Sequence, residues 1–175
     1  MYKMQVEVRL LKKILIVFFG LLFCCFNTTA QCKIKQRIYP DGSLYYQTES
    51  TLFYKTSSMK LMEEIRTDKE NYFIVLSPTP FLPKPAGSKL KTNLQVVLSN
   101  GKKYTFIHFD SRYVNKDNAF ELQFLIDKKH IDDLKKLLIS KIYFDDGSGI
   151  KWFTLKLHKD ALKKQLICFE QKPAN

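Results

Sequence analysis

Most of the chain beyond residue 31 alternates apolar and polar side chains with a period of two. This period is typical of strands that bury one face and leave the other in water. The segment FELQFLI at 120–126 shows it most clearly. Because such segments are short and separated by turn residues, the sequence predicts a sheet whose strands are joined mainly by hairpins.

Turn residues indicate where these hairpins lie. The sequence SNGK at 99–102 separates strand-like segments at 90–98 and 103–109, and Asn-Gly in that position is a strong hairpin signal. Further hairpins are expected around PDGS at 40–43 and DDGSG at 145–149. Segment 51–55 continues as a strand. Segment 58–66 has two interpretations, a helix or a strand paired with 72–76, and we favour the strand.

Other regions depart from the alternation. The sequence SPTPFLPKPAGS at 77–88 predicts a long loop, and residues 110–118 predict a polar loop. Asp127 is a candidate cap for an amphipathic helix at 128–138, and a second helix is expected at 159–167, next to Cys168. The predicted fold class is α+β, with a mostly antiparallel β-sheet, as a sandwich or partly open barrel, and one or two C-terminal helices packed on it.

The first 30 residues have the order of a secretory signal peptide. Residues 1–13 carry four bases and one acid, residues 14–26 are uncharged and apolar, and a short polar stretch ends at Ala30. A spanning helix needs about 20 apolar residues, so an anchor is disfavoured. A lipid anchor fits poorly as well, because the residues before Cys24, Cys25 and Cys32 do not match a lipoprotein signal. We expect cleavage near Ala30 and a secreted or periplasmic product.

The predicted organisation is therefore a signal peptide at 1–30 and a single strand-rich domain at 31–175. Removal of the signal leaves Cys32 and Cys168, at opposite ends of the domain. In an oxidising compartment such a pair predicts one disulfide bond. Closing so long a loop stabilises a fold by about 4–5 kcal/mol in the loop-entropy description. Two unpaired cysteines are the alternative.

Charge gives a weak indication of partners. The formal net charge of the full chain is +12, which fits nucleic acid, an anionic membrane surface or an acidic polysaccharide. The lysines occur as scattered pairs and not as one long run. A solvated, lysine-rich surface is therefore the favoured interpretation, and nucleic acid is not an expected partner.

The search for catalytic and metal-binding motifs gives no strong candidate. The three histidines lack metal-site spacing, and no phosphate-binding glycine loop is present in the sequence. His108 and Asp110, two apart on a strand, could form a general base and its orienting carboxylate, although a polar strand face explains them as well. Segment 145–149 lacks the closing glutamate of a calcium loop. We expect no catalytic, cofactor or metal residues.

Several features together carry a resemblance to a group of proteins. They are the leader ending before Gln31, the cysteine in the first strand, the NGKKYTF hairpin at 100–106, KIYFDDGSGI at 141–150 and ALKKQLICF at 161–169. In these respects the chain resembles uncharacterised small exported proteins of Bacteroidota bacteria. The resemblance implies the location and the fold, and it implies no activity.

Two surfaces are candidates for recognition. One is the proline loop, which carries Phe81 and Leu82. The other is a set of aromatic residues that can stack on sugars or bases: Tyr39, Tyr45, Tyr46, Phe53 and Tyr54. The expected function is a non-enzymatic binding module of the periplasm or envelope, with another envelope protein or a glycan as partner. An enzyme with an unrecognised site and an inhibitor or immunity-type protein are the alternatives.

Overall fold

A computed structural model of the protein describes residues 32–39, 41–80, 92–114, 119–145 and 149–171. The predicted signal peptide and the centre of the proline loop lie outside these ranges. The strands are β1 (Ile34–Ile38), β2 (Leu44–Thr48), β3 (Thr51–Lys55), β4 (Lys60–Thr67), β5 (Tyr72–Thr79), β6 (Leu94–Leu98), β7 (Lys103–Val114), β8 (Ala119–Ile126), β9 (Ile139–Asp145) and β10 (Ile150–Thr154). The helices are α1 (Ile131–Lys136), which follows a short 3₁₀ turn at Lys128–His130, and α2 (Ala161–Gln171).

All ten strands belong to one antiparallel sheet. Their order is β1-β2-β4-β5-β8-β7-β6-β9-β10, and β3 pairs with β4. Strand β7 is shared between two halves of the sheet, because its residues 103–106 pair with β6 whereas 107–114 pair with β8. The predicted α+β class is confirmed, with a mostly antiparallel sheet and two short helices.

The core follows from the alternation in the sequence. One hydrophobic cluster takes inward-facing residues from both halves of the sheet together with Leu162 and Leu166 of α2. Phe124 of β8 and Phe144 of β9 join the halves, with ring centroids 6.4 Å apart. Each large apolar side chain that is fully buried stabilises the fold by about 1.5–3 kcal/mol.

Most predicted elements are confirmed. The SNGK hairpin joins β6 to β7, and segment 58–66 is a strand, since β4 pairs along its whole length with β5. The Asp127 side chain caps the 3₁₀ turn by accepting a hydrogen bond from the Lys129 backbone N–H at 3.1 Å. The helix there ends at Lys136, two residues earlier than predicted, because the chain is extended at Leu137 and leads into β9. Helix α2 runs beyond the predicted end, through Cys168 to Gln171.

Two loop boundaries were predicted wrongly. Strand β5 continues through Pro78 to Thr79, inside the predicted proline loop. Strand β8 pairs with β5 only up to Leu76, so among the described strands Pro78 has β4 alone as a neighbour, and its missing N–H is tolerated at such an edge. Strand β7 likewise extends to Val114, inside the predicted polar loop, because β8 supplies partners up to that residue.

The two predicted disulfide partners come together in the structure. The sulfur atoms of Cys32 and Cys168 lie 2.04 Å apart, at the distance of a disulfide bond. The bond links the segment before β1 to α2 across 136 residues of sequence. It therefore holds the carboxyl-terminal helix against the first strands of the sheet.

A buried polar network also fixes α2 to the sheet. The Thr48 hydroxyl donates to Gln165 Oε1 at 2.6 Å, and Gln165 Nε2 donates to Thr51 Oγ1 at 2.9 Å. The Thr51 hydroxyl in turn donates to Glu63 Oε1 at 3.1 Å. Glu63 has no exposed surface, and burial raises its pKa to about 8. Near neutral pH this carboxyl is therefore protonated in the folded protein.

We expect replacement of both Cys32 and Cys168 by serine to lower the free energy of unfolding by about 2–5 kcal/mol. The reason is that the unfolded chain regains the freedom of a loop of 136 residues. Urea denaturation followed by circular dichroism measures the loss. Wild-type protein under reducing conditions should match the double variant, and equal stability of the oxidised wild type and the variant would contradict the prediction.

Glu63 predicts a specific pH dependence of stability. Its pKa is about 8 when folded against an ordinary value of 4.5, so between these values the folded state keeps a proton that the unfolded state releases. Stability contributed by this group is complete below about pH 4.5 and falls as the pH rises to about 8, by at most ~5 kcal/mol. Urea denaturation from pH 5 to pH 8 should show a much flatter profile for Glu63→Gln than for the wild type.

The exposed residue Glu70 gives the matched control for this experiment. Glu70→Gln makes the same replacement at an exposed position, without touching the buried network. Its profile should follow that of the wild type. Parallel pH profiles for the wild type and Glu63→Gln would show that the buried carboxyl does not govern stability in this range.

Candidate functional site

A cleft of about 860 Å³ lies between β3 and β10. Its walls are residues 52–57, from β3 and the turn after it, and Trp152 and Thr154 of β10 with residues 156–158. The volume is within the range of about 300–1,000 Å³ that is usual for ligand pockets. This cleft is the candidate site.

The β3 wall is shaped by an irregularity in strand pairing. The register with β4 shifts between Leu52 and Tyr54, which places Phe53 at a bulge. Phe53 is 1% exposed and belongs to the core. The Tyr54 ring meets Phe153 of β10 edge to face, with centroids 5.2 Å apart. This contact brings β3 and β10 together at the floor of the cleft.

The β10 wall presents Trp152, the only tryptophan of the chain. Phe153 is buried, whereas its neighbour Trp152 is 62% exposed, because successive strand residues face opposite sides. The Trp152 ring stacks on Tyr143 of β9, with centroids 4.2 Å apart. Stacking on one neighbour orients the indole while most of its surface stays accessible.

A short loop after β10 completes the cleft. The Leu155 N–H donates to the Ser140 carbonyl at 2.9 Å, and the Lys159 carbonyl accepts from the Ile139 N–H at 3.0 Å. These bonds hold both ends of the segment 156–158 against the start of β9. Leu155 is buried, and Leu157 is 73% exposed. The loop is thus anchored at its ends and presents its middle to solvent beside the cleft.

One edge of β10 has no neighbouring strand among the described residues. In an antiparallel pair, the residues whose N–H and C=O point to the partner alternate with those that point away. The Leu155 N–H bonds to β9, and Phe153, two residues earlier, therefore also points its N–H and C=O to β9. The N–H and C=O groups of Trp152 and Thr154 therefore point away from β9, and no described strand pairs with β10 on that side.

The same reasoning applies to one residue of β3. The Thr56 N–H donates to the Met59 carbonyl at 2.8 Å. Thr56 and Met59 therefore form a hydrogen-bonded pair of opposite residues. Lys55, the preceding residue, is opposite Lys60. Its backbone groups therefore point away from β4. Both walls of the cleft thus offer unpaired main-chain groups within the part of the chain that the structure describes.

The cleft is positively charged. Lys55 and Lys156 line it, and none of the described lining residues is acidic. No carboxylate of the described residues lies within ion-pair distance of Lys55 or Lys156, whereas several other lysines are paired, for example Lys135 with Glu170 at 2.5 Å. The two cleft lysines are available to an anionic ligand.

The structure separates His108 from Asp110. The pairing of β7 with β8 shifts between these residues, so that His108 is opposite Phe124 while Asp110 is opposite Gln123. Because Phe124 and Gln123 are neighbours on β8, they face opposite sides of the sheet. The expectation that His108 and Asp110 share a face is therefore wrong, and a bulge at Phe109 is the reason.

The turn between β9 and β10 contains the acidic segment 145–149, which was compared above with a calcium loop. The hairpin is confirmed, with Ile150 opposite Asp145, and the Gly149 N–H donates to Asp145 Oδ1 at 3.2 Å. Residues 146–148 lie outside the described ranges. Among the described residues, no group of three or more His, Cys, Asp or Glu side chains is arranged to hold a metal ion.

The structure divides the predicted aromatic surface among different environments. Phe53 is in the core and Tyr54 lines the cleft. Tyr46 lies under the ammonium of Lys69, which is 5.5 Å from the ring centroid. Tyr39 and Tyr45 stack on each other at 4.1 Å. Two of the five residues, Phe53 and Tyr54, therefore line the candidate site.

Tyr45 helps to cover a buried charge cluster on the other face of the sheet. Arg66 lies 5.6 Å from the Tyr45 ring centroid. It donates two hydrogen bonds to Glu121, at 2.9 and 2.8 Å, and one to Glu64 at 2.7 Å. Burial alone would raise the pKa of Glu121, but the hydrogen bonds and charge of Arg66 outweigh burial and lower it. These charges satisfy one another and serve the fold.

Sequence reasoning missed most of the cleft. The sequence predicts a hairpin around DDGSG at 145–149, but it gives no role to Trp152 or Lys156, which follow that turn. The available signal was the pair Trp152-Phe153, because two adjacent aromatic residues on one strand cannot both face the core. The proline-loop residues Phe81 and Leu82 lie outside the described residues.

Comparisons with known proteins place the chain in no family: no family model, no curated protein and no solved structure matches it. The resemblance to exported proteins therefore stays a prediction. Within the described ranges, neither helix has the length and apolar character that crossing a membrane requires.

Proposed function

We propose that the protein is a non-enzymatic binding module of the periplasm or cell envelope, and that the cleft between β3 and β10 is its ligand site. The observation that carries the proposal is the combination of exposed Trp152 with Lys55 and Lys156, which have no acidic partner among the described residues. Aromatic surface supplies contact area, and cations supply attraction for an anion.

The cleft selects a ligand that is partly apolar and partly acidic. Leu52, Phe53 and Leu157 give apolar lining, and Tyr54 and Trp152 give aromatic lining. A carboxylate or phosphate on the ligand meets a lysine in a partly dehydrated site, where charge pairs are stronger than in water. An envelope protein and an acidic glycan both carry this chemistry.

The bulge in β7 supports binding over catalysis. The enzyme alternative rested on His108 as a base oriented by Asp110, and a catalytic pair needs both groups at one place. The shifted register puts them on opposite faces. The residues with this sequence spacing therefore do not assemble a site.

Export is supported by the leader sequence and by the position of the cysteines. We expect the intact mass of the protein secreted by its host to equal that of residues 31–175 with two hydrogens fewer, for cleavage after Ala30 and one disulfide bond. Mass spectrometry without reduction makes the measurement, and reduction should add the two hydrogens. A mass that retains the leader, or that includes a lipid, would contradict the proposed location.

Ligand binding is tested with a matched pair of variants on β10. Trp152→Ala removes the aromatic wall, and Ile150→Ala alters a residue of the same strand that is 61% exposed and does not line the cleft. Immobilised wild type should retain specific components of a periplasmic extract or of solubilised envelope glycans. We expect Trp152→Ala to lose at least tenfold in retained material and Ile150→Ala to retain the wild-type amount. Equal retention by all three proteins would refute the cleft as the site.

A further inference from the structure

Resting on the proposed function, we propose that the occupant of the cleft is an extended acidic peptide segment that joins the edge of β10 as an added strand. Three observations carry this assignment. They are the main-chain groups of β10 that no described strand pairs, their two-residue spacing, and the lining residues Lys55 and Lys156, which have no acidic partner among the described residues.

The main-chain groups fix the kind of ligand. Trp152 and Thr154, which both line the cleft, point their N–H and C=O groups away from β9, two residues apart on one edge. Alternate residues of an extended peptide repeat at about 6.6–6.8 Å, the same spacing. An antiparallel peptide therefore forms up to four hydrogen bonds there, two with each residue. Addition of a strand to an exposed sheet edge is a general mode of peptide recognition.

Side chains then select the sequence of that peptide. Residues directly opposite each other on neighbouring strands share a face of the sheet, so a ligand residue opposite Trp152 lies against the indole and is expected to be apolar. Lys55 on the far wall and Lys156 at the end of β10 face the same space. They attract acidic residues of the ligand. The predicted ligand therefore combines apolar and acidic side chains.

An acidic glycan shares the charge but fits the edge less well. Sugar hydroxyl groups do not repeat at the spacing of a strand and cannot satisfy two N–H and two C=O groups in line. The lining by Leu52, Phe53 and Leu157 also favours apolar side chains over hydroxyl groups. We therefore assign the cleft to a peptide, and a glycan is an outcome of the test.

The probes are synthetic nonapeptides in which glutamate alternates with valine, leucine, isoleucine or phenylalanine. The fluorescence of Trp152, the only tryptophan of the full protein, reports binding, and calorimetry gives the affinity. We expect the glutamate pool to bind at least tenfold more tightly than a matched pool with lysine. Failure of the glutamate pool to bind, or equal binding of both pools, would overturn the assignment.

Backbone methylation tests strand addition directly. The best peptide is prepared in two forms, with N-methyl groups on odd or on even residues, which leaves its charge and side chains unchanged. Loss of at least tenfold in affinity for one form or for both is expected, because methylation removes the donors that face β10. Unchanged affinity of both forms would overturn the added strand.

Variants of the protein complete the test. Lys55→Glu combined with Lys156→Glu should weaken peptide binding at least tenfold, and the control pair Lys103→Glu with Lys128→Glu, both exposed residues, should not. Galacturonate oligomers are titrated in parallel. If these oligomers bind the wild type and bind Trp152→Ala more weakly, while the peptides do not bind, the peptide assignment is overturned and the proposed function stands. Wild-type affinity of Trp152→Ala for every probe would overturn both.

Discussion

One buried side chain, Gln165, ties α2 to β2, β3 and β4 through hydrogen bonds. Its amide bonds to Thr48 and Thr51, and these hydroxyl groups lie on either side of the break between β2 and β3. Because of this break, β2 pairs with the end of β4 and β3 pairs with its beginning. Without this anchor, the short β3 would lose its hydrogen bond to α2, and one wall of the cleft would lose part of its support.

Strand β7 imposes the second constraint. Because it changes partner between Phe106 and Ile107, it carries the sheet from the half that contains β3 to the half that contains β10. The bulge two residues later reverses which side chains face inward, which keeps Phe106 and Tyr113 both against the core. The same reversal separates His108 from Asp110. A feature that serves packing thus removes an apparent catalytic pair.

The features that could be predicted from the sequence depend on local residue chemistry or on a single pair of residues. The SNGK hairpin, the Asp127 cap and the Cys32–Cys168 pair are of this kind. It failed where the outcome depends on which strands are neighbours: Pro78 is tolerated because β8 stops at Leu76, and β7 is extended because β8 continues beside it. The cleft could not be predicted for the same reason. Tyr54 and Phe153 meet although about a hundred residues separate them, and periodicity within a strand contains no information about strand order.

An exposed strand edge is a hazard, because it pairs with other chains unless it is short, charged or bulged. The edges at the cleft have all three features. Strands β3 and β10 contain five residues each, and β3 is bulged. Lys55 and Lys156 lie close to these edges. Such protection does not exclude every partner. Lysines repel a second copy of this basic chain and attract an acidic partner. Strand β10 has only five residues, which limits pairing at its edge to a short segment. The short edge and its lysines, which disfavour aggregation, thus also favour an acidic peptide over other partners.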